Sequence, residues 1–152
     1  MRLTRHTDYA LRILLQAAAQ PGARLSIAAV AEVQGIARNH AMKLVNELAN
    51  AGYLATTRGR GGGFTLGRPA EDIRVGDVER LTETETQPAD CPNCALRPGC
   101  GLIPVLAGAS HAFFAHLDQF TLAQAAERTR LPAALLATAQ TMGSSAQGHA
   151  AE

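Results

Sequence analysis

Several kinds of chemistry are excluded by what this chain lacks. It has only three cysteines in 152 residues, and an odd number cannot form a complete internal disulfide framework. No apolar run approaches the roughly 20 residues needed to span a bilayer. The N-terminus imitates an export signal, with Arg2 and Arg5 ahead of Ile13-Leu14-Leu15 and Ala17-Ala18-Ala19. However, Asp8, Arg12 and Gln16 interrupt the apolar stretch, so a cytoplasmic protein without a membrane segment is expected. No Ser/His/Asp set, no paired carboxylates and no cofactor loop stand out, so the chain is not expected to be an enzyme. There is no internal repeat. A hydrophobic content of 47% with 18% charged residues describes a globular chain, neither disordered nor fibrous.

What is present begins with helical spacing. Apolar residues at Ala10, Leu11, Leu14, Leu15 and Ala18 predict a helix over 3–19, which Pro21-Gly22 ends. Ser26 is an N-cap for a second helix over 27–33, and Gln34-Gly35 turns the chain. A third helix is expected over about 38–51, with Met42, Val45, Leu48 and Ala49 facing inward and Gly52 just past its end. Helix, short glycine-containing turn, helix is the helix-turn-helix pattern. Two strands over 53–57 and 64–66 follow, joined by Arg58-Gly59-Arg60-Gly61-Gly62-Gly63. That is a wing, and it is no nucleotide loop, because the spacing is not GxGxxG and a strand follows instead of a helix. A short helix over 75–81 lies in the connector, and a long one over 102–119 carries the stripe Leu102, Val105, Leu106, Ala109, Phe113 and Leu117. Pro104 is tolerable there because it falls in the first turn. Thr121 to Gln124 is a capping box opening another short helix, and the segment from Met142 reads as a loose tail.

Charge is distributed unevenly. Residues 1–68 hold nine Arg and Lys against Asp8, Glu32 and Glu47, a balance of +6, while residues 81–152 balance at −3. A basic head on a mildly acidic body suits a polyanionic partner for the head alone. In a helix-turn-helix the N-terminal part of the recognition helix meets base edges in the major groove. Arg pairs bidentately with guanine and Asn with adenine, so Arg38 and Asn39 are the expected base readers. His40 and Lys43 are expected on phosphate, and Arg58 and Arg60 on the glycine-rich wing suit a narrow minor groove.

All three cysteines fall within ten residues, Cys91-Pro-Asn-Cys94-Ala-Leu-Arg-Pro-Gly-Cys100. Pro92, Pro98 and Gly99 interrupt helix and strand, so the thiols lie on a loop. Structural cysteines are normally scattered as small hydrophobes, so such grouping points to chemistry. Three readings stay open on spacing: an iron–sulfur cluster, which takes thiolates from a loop; zinc, which needs four ligands, although no histidine lies between Ala89 and Ile103; and a thiol switch.

The stretches Met1–Arg12 and Gly35–Val45, the wing, the cysteine loop and Phe120-Thr-Leu-Ala123 together resemble the Rrf-type winged-helix regulators over about residues 1–128. Within that family the chain is most similar to the nitric-oxide-sensing iron–sulfur repressors. The resemblance implies a homodimer with one cluster per subunit, a [4Fe–4S] cluster or alternatively [2Fe–2S], held by Cys91, Cys94 and Cys100. It implies Asp8 of the partner subunit as the fourth ligand, palindromic double-stranded operator DNA as the partner, and nitric oxide as the signal. Two departures exist. The first gap between cysteines is only two residues, and Ile103 stands where the related regulators of iron–sulfur biogenesis have a histidine. His6, His111 and His116 are expected to be ordinary surface or interface residues.

The expected architecture is mainly α. Residues 1–80 form a winged helix-turn-helix domain of three helices plus a two-stranded wing. Residues 81–101 form the connector and cysteine loop, 102–130 the dimerisation helix and a short helix, and 131–152 a partly disordered C-terminal tail.

Overall fold

The computed structural model describes residues 3–59, 61–83 and 89–140. The winged helix-turn-helix expectation is met. Helix α1 (Arg5–Ala18) starts at Thr4, whose side chain accepts a hydrogen bond from the Thr7 amide and so satisfies a donor the helix cannot. Its buried positions Ala10, Ile13, Leu14 and Ala17 repeat at three and four residues and form one face. Strand β1 (Arg24–Leu25) leads into α2 (Ile27–Val33), capped by Ser26, whose hydroxyl accepts from the Ala29 amide. Gly35 then turns the chain with φ at +66°, a conformation that favours glycine, and α3 (Arg38–Asn50) follows.

The wing is β2 (Leu54–Thr57) paired antiparallel with β3 (Gly63–Leu66), with Leu54 opposite Leu66 and Thr57 opposite Gly63. Helix α4 (Val75–Thr82) follows a 3₁₀ turn at Ala70–Asp72. Helix α5 (Leu102–Leu117) stops two residues short of the expected end, and α6 (Leu122–Glu127) opens with the expected capping box, both hydrogen bonds present.

Two features go beyond or against the reading of the sequence. Within the segment expected as a partly disordered tail, residues as far as Gln140 form α7 (Ala133–Leu136) and β4 (Ala139–Gln140), while the stretch from Met142, expected to be loose, lies outside the described residues. Strand β4 pairs with β1, giving a four-stranded sheet in the order β2-β3-β1-β4. Second, Met42 does not face inward: it is 44% exposed, and the inner face of α3 is Ala41, Leu44, Val45 and Leu48.

One core joins these elements. Ile13, Leu14, Leu25, Leu44, Leu48, Phe64, Ile73 and Val78 are at most 1% exposed. At about 1.5–3 kcal/mol for each such side chain, this core fixes α1 between α3 on one side and α4 and α6 on the other. The Leu122 amide donates to the Ile73 carbonyl at 2.8 Å, tying the second half to the first. Helix α5 contrasts with the other long helices α1 and α3, because it contributes no buried residue, and Leu102 and Val105 are 62% and 64% exposed.

Candidate DNA-reading face and cysteine loop

The core stripe of α3 leaves its other side to solvent. Arg38, Asn39, Met42, Lys43 and Asn46 are all exposed, at positions that follow one another up a single helical face. Glu47, the one acid on α3, is engaged by His6, with Oε2 2.8 Å from the His6 Nε2. Arg58 on the wing is also exposed, whereas Arg60 lies outside the described residues. Between the wing and α3 runs a cleft of about 370 Å³, lined by Arg38, Met42 and Asn46 on one side and by Thr56 to Gly59 on the other. Helix α3 and the wing therefore border one groove, and the whole border is basic or neutral.

His40 is placed differently from its neighbours. Its ring is half-buried and stacks on His6 of α1, with centroids 5.5 Å apart and planes 14° from parallel. The His6 Nδ1 and His40 Nε2 atoms are 3.2 Å apart, and the His6 Nε2 meets Glu47 Oε2 at 2.8 Å. Tyr9 closes the group edge-on against His40 at 5.3 Å. These contacts bolt the start of the recognition helix to the start of α1. No local pattern announces them, since His6 and His40 are 34 residues apart and Glu47 belongs to a different turn.

Asp8 lies in the first turn of α1, where the helix dipole favours a carboxylate. It is bound by Arg12 one turn on, with Asp8 Oδ2 and Arg12 Nη2 2.6 Å apart. Both side chains stay substantially solvent-accessible, 39% and 52%. Asp8 therefore sits two residues from His6 on the helix that braces α3.

The cysteine loop stands clear of the core. Its backbone closes only local turns: Cys94 donates to the Cys91 carbonyl, Arg97 to that of Cys94, and Gly99 to that of Leu96. The Asn93 amide bridges both carboxylate oxygens of Asp90 at 2.9 and 3.0 Å. A 3₁₀ turn, Arg97–Gly99, delivers Cys100 to the foot of α5. All three cysteines are free; Cys94 is exposed and Cys91 and Cys100 are half-exposed. Among the described residues no three His, Cys, Asp or Glu side chains converge into a set that could hold a metal ion. The donor set nonetheless suits iron by its chemistry: three thiols on a loop held by local turns can close on a metal without disturbing the core.

Among the described residues no helix is long and apolar enough to cross a membrane. The solved structure of Staphylococcus aureus CymR superposes with a TM-score of 0.71 at 27% identity, covering 84% of this chain and all of that one. CymR (YrzC), titled the global cysteine regulator of B. subtilis, gives 0.69 at 24% identity over 86% of this chain and 99% of its own. T. potens IscR gives 0.66 at 23% over 87% and 94%; at these two identities the likeness concerns the fold. The family model described as Rrf2, iron-dependent transcriptional regulator, matches residues 3–128, from the cap of α1 through the end of α6. A match over that length, on this fold, decides the matter: the chain belongs to the Rrf2 family of transcriptional regulators.

Proposed function

We propose that this regulator is a homodimeric repressor that senses nitric oxide through an iron–sulfur cluster, of [4Fe–4S] type, and binds a palindromic operator while the cluster is intact. The observation that carries the reading is the set of three free, solvent-facing thiols on one loop at the foot of α5, in a chain of a family described as iron-dependent. Cys91, Cys94 and Cys100 would hold the cluster, with Asp8 of the partner subunit as the fourth ligand. Once bound, the iron supplies the reactivity toward nitric oxide.

The protein's own residues then link ligation to DNA. Asp8 now pairs with Arg12, and ligation would draw α1, the helix that carries both Asp8 and His6, toward the partner's cluster. Because His6 of α1 is joined to His40 at the start of α3, a shift of α1 would be passed on to the recognition helix. Arg38 and Asn39 read base edges, Lys43 and the wing's Arg58 and Arg60 engage phosphate and minor groove, and His40 braces the helix from within. Only a difference in cluster state between binding and non-binding forms can shift affinity, by a coupling of roughly 1–3 kcal/mol.

The test is an absorbance titration with nitric oxide on protein purified without oxygen, with operator binding followed in parallel. A brown protein that bleaches with a few equivalents and loses DNA as it bleaches is the expected result. A brown protein that keeps its DNA under nitric oxide but releases it on iron removal would point to iron or redox sensing. A colourless one with bound zinc would make the loop a structural site. Cys94→Ala should remove both colour and tight binding, and Asp8→Ala should change the spectrum or its stability; an unchanged spectrum would rule out the aspartate as a ligand.

A further inference from the structure

We propose that Met42 is a specificity determinant that reads the 5-methyl group of a thymine in each operator half-site. This rests on α3 being the recognition helix and adds a base contact of a different chemical kind to the polar readers Arg38 and Asn39.

The argument starts from a side chain the fold does not need. The inner face of α3 is complete with Ala41, Leu44, Val45 and Leu48, each at most 1% exposed. Met42 lies on the opposite side, 44% exposed, and is the one large apolar side chain on the solvent face of this helix. It stands one turn after Arg38 and one turn before Asn46, and all three line the cleft that faces the wing. A helix that lays Arg38 and Asn39 against base edges brings the next turn along the same groove, so Met42 meets the floor of the major groove.

The major groove offers one apolar feature on its floor, the thymine methyl, and apolar side chains recognise it by contact. Arginine and lysine could offer the methyl only their stems, since their heads go to acceptors and phosphate, whereas an exposed thioether in water gains nothing until covered. Methionine is unbranched and polarisable, so it conforms to the methyl without demanding one rotamer. Of the exposed residues on this face, Arg38, Asn39, Lys43 and Asn46 are polar, which leaves Met42 alone to read the methyl. A phosphate contact is excluded by its chemistry, because a thioether donates no hydrogen bond.

The experiment compares operators in which single thymines are replaced by deoxyuridine, which deletes the methyl and keeps base pairing and the O4 acceptor. The operator is first selected from a random duplex pool with the intact protein. Wild type should lose about fourfold in affinity for each half-site in which the contacted thymine is substituted, the loss expected for a buried methyl-sized group. Because both subunits carry the change, Met42→Ala should bind the thymine operator about as weakly as wild type binds the operator substituted in both half-sites, with no further loss on that DNA. Met42→Leu, which keeps an apolar side chain, should retain the sensitivity and shows that the helix tolerates replacement. If Met42→Ala keeps the full thymine dependence, or if no thymine matters to wild type, the methyl contact is wrong. If Arg38→Ala, Asn39→Ala and Met42→Ala all bind like wild type, the recognition helix itself has been misassigned and the proposal falls with it. Weakened Arg38→Ala and Asn39→Ala alongside a fully thymine-sensitive Met42→Ala would sink the methyl contact alone.

Discussion

Glu79 on α4 is 1% exposed, and its Oε2 has no hydrogen-bond partner among the described residues. Burial raises its pKa, the Glu83 charge raises it further, and Arg80 only partly offsets them. The carboxyl thus binds its proton more tightly in the folded protein than in the unfolded chain. Above the folded pKa the buried charge opposes folding, and this penalty fades as pH falls through that pKa and is gone below the unfolded one. Glu79→Gln should therefore stabilise the protein at pH 7 by something on the order of 1 kcal/mol. The gain in melting temperature should shrink steadily on acidification. A gain that stays constant with pH would mean that packing, and not charge, separates the two side chains.

At the scale of elements, α4 and the end of α5 are joined by a clamp. Arg80 takes both oxygens of Asp118, through Nη1 at 2.8 Å and Nη2 at 2.6 Å, and its guanidinium lies 4.7 Å over the Phe114 ring. The ion pair holds the Asp118 pKa below its usual value, Arg80 being the main cause. The pair faces water, so its own contribution is modest. A Cβ on Gly76 would meet Asp118 Oδ1, the far end of a solvent-facing side chain that can swing aside. Gly76→Ala should therefore cost no more than the ion pair, about 1 kcal/mol or less, and match Asp118→Ala in melting temperature. A clearly larger loss for Gly76→Ala would show that the backbone, and not the side chain, has to move. The helices in this clamp were legible in the sequence, because periodicity and caps such as Thr121 act within a few residues. Strands β1 and β4 were not, since two-residue strands carry no period and their pairing spans more than a hundred residues. Met42 was misread for a related reason. Its size and apolarity suggest the core, yet the true stripe at 41, 44, 45 and 48 runs past it. The candidate site divides the same way: the exposed Arg38, Asn39 and Lys43 follow from helix register, while the His6–His40–Glu47 bolt depends on which helix lies against α3.

For the molecule as a whole, the burial pattern is asymmetric. The head buries a complete core, whereas α5 extends 16 residues without burying one. Exposing Leu102 and Val105 along such a helix leaves an apolar surface of the kind that marks association. A second copy fits best, since a two-fold dimer places the same helix on both sides of the interface and sets the two α3 helices on successive major grooves about 10 bp apart. On the function proposed above, the partner's α1 supplies Asp8 across this same interface, so Val105→Glu should disrupt both the dimer and the cluster. Sedimentation should show that variant as a monomer at micromolar concentration, with helical content unchanged, because the residue supports nothing within its own chain. Binding to the full operator should fall about 100-fold or more as the two heads lose their linkage. Binding to an isolated half-site should hardly change. A Val105→Glu protein that remains a dimer would move the interface off α5, and the route by which Asp8 reaches the partner's cysteines with it.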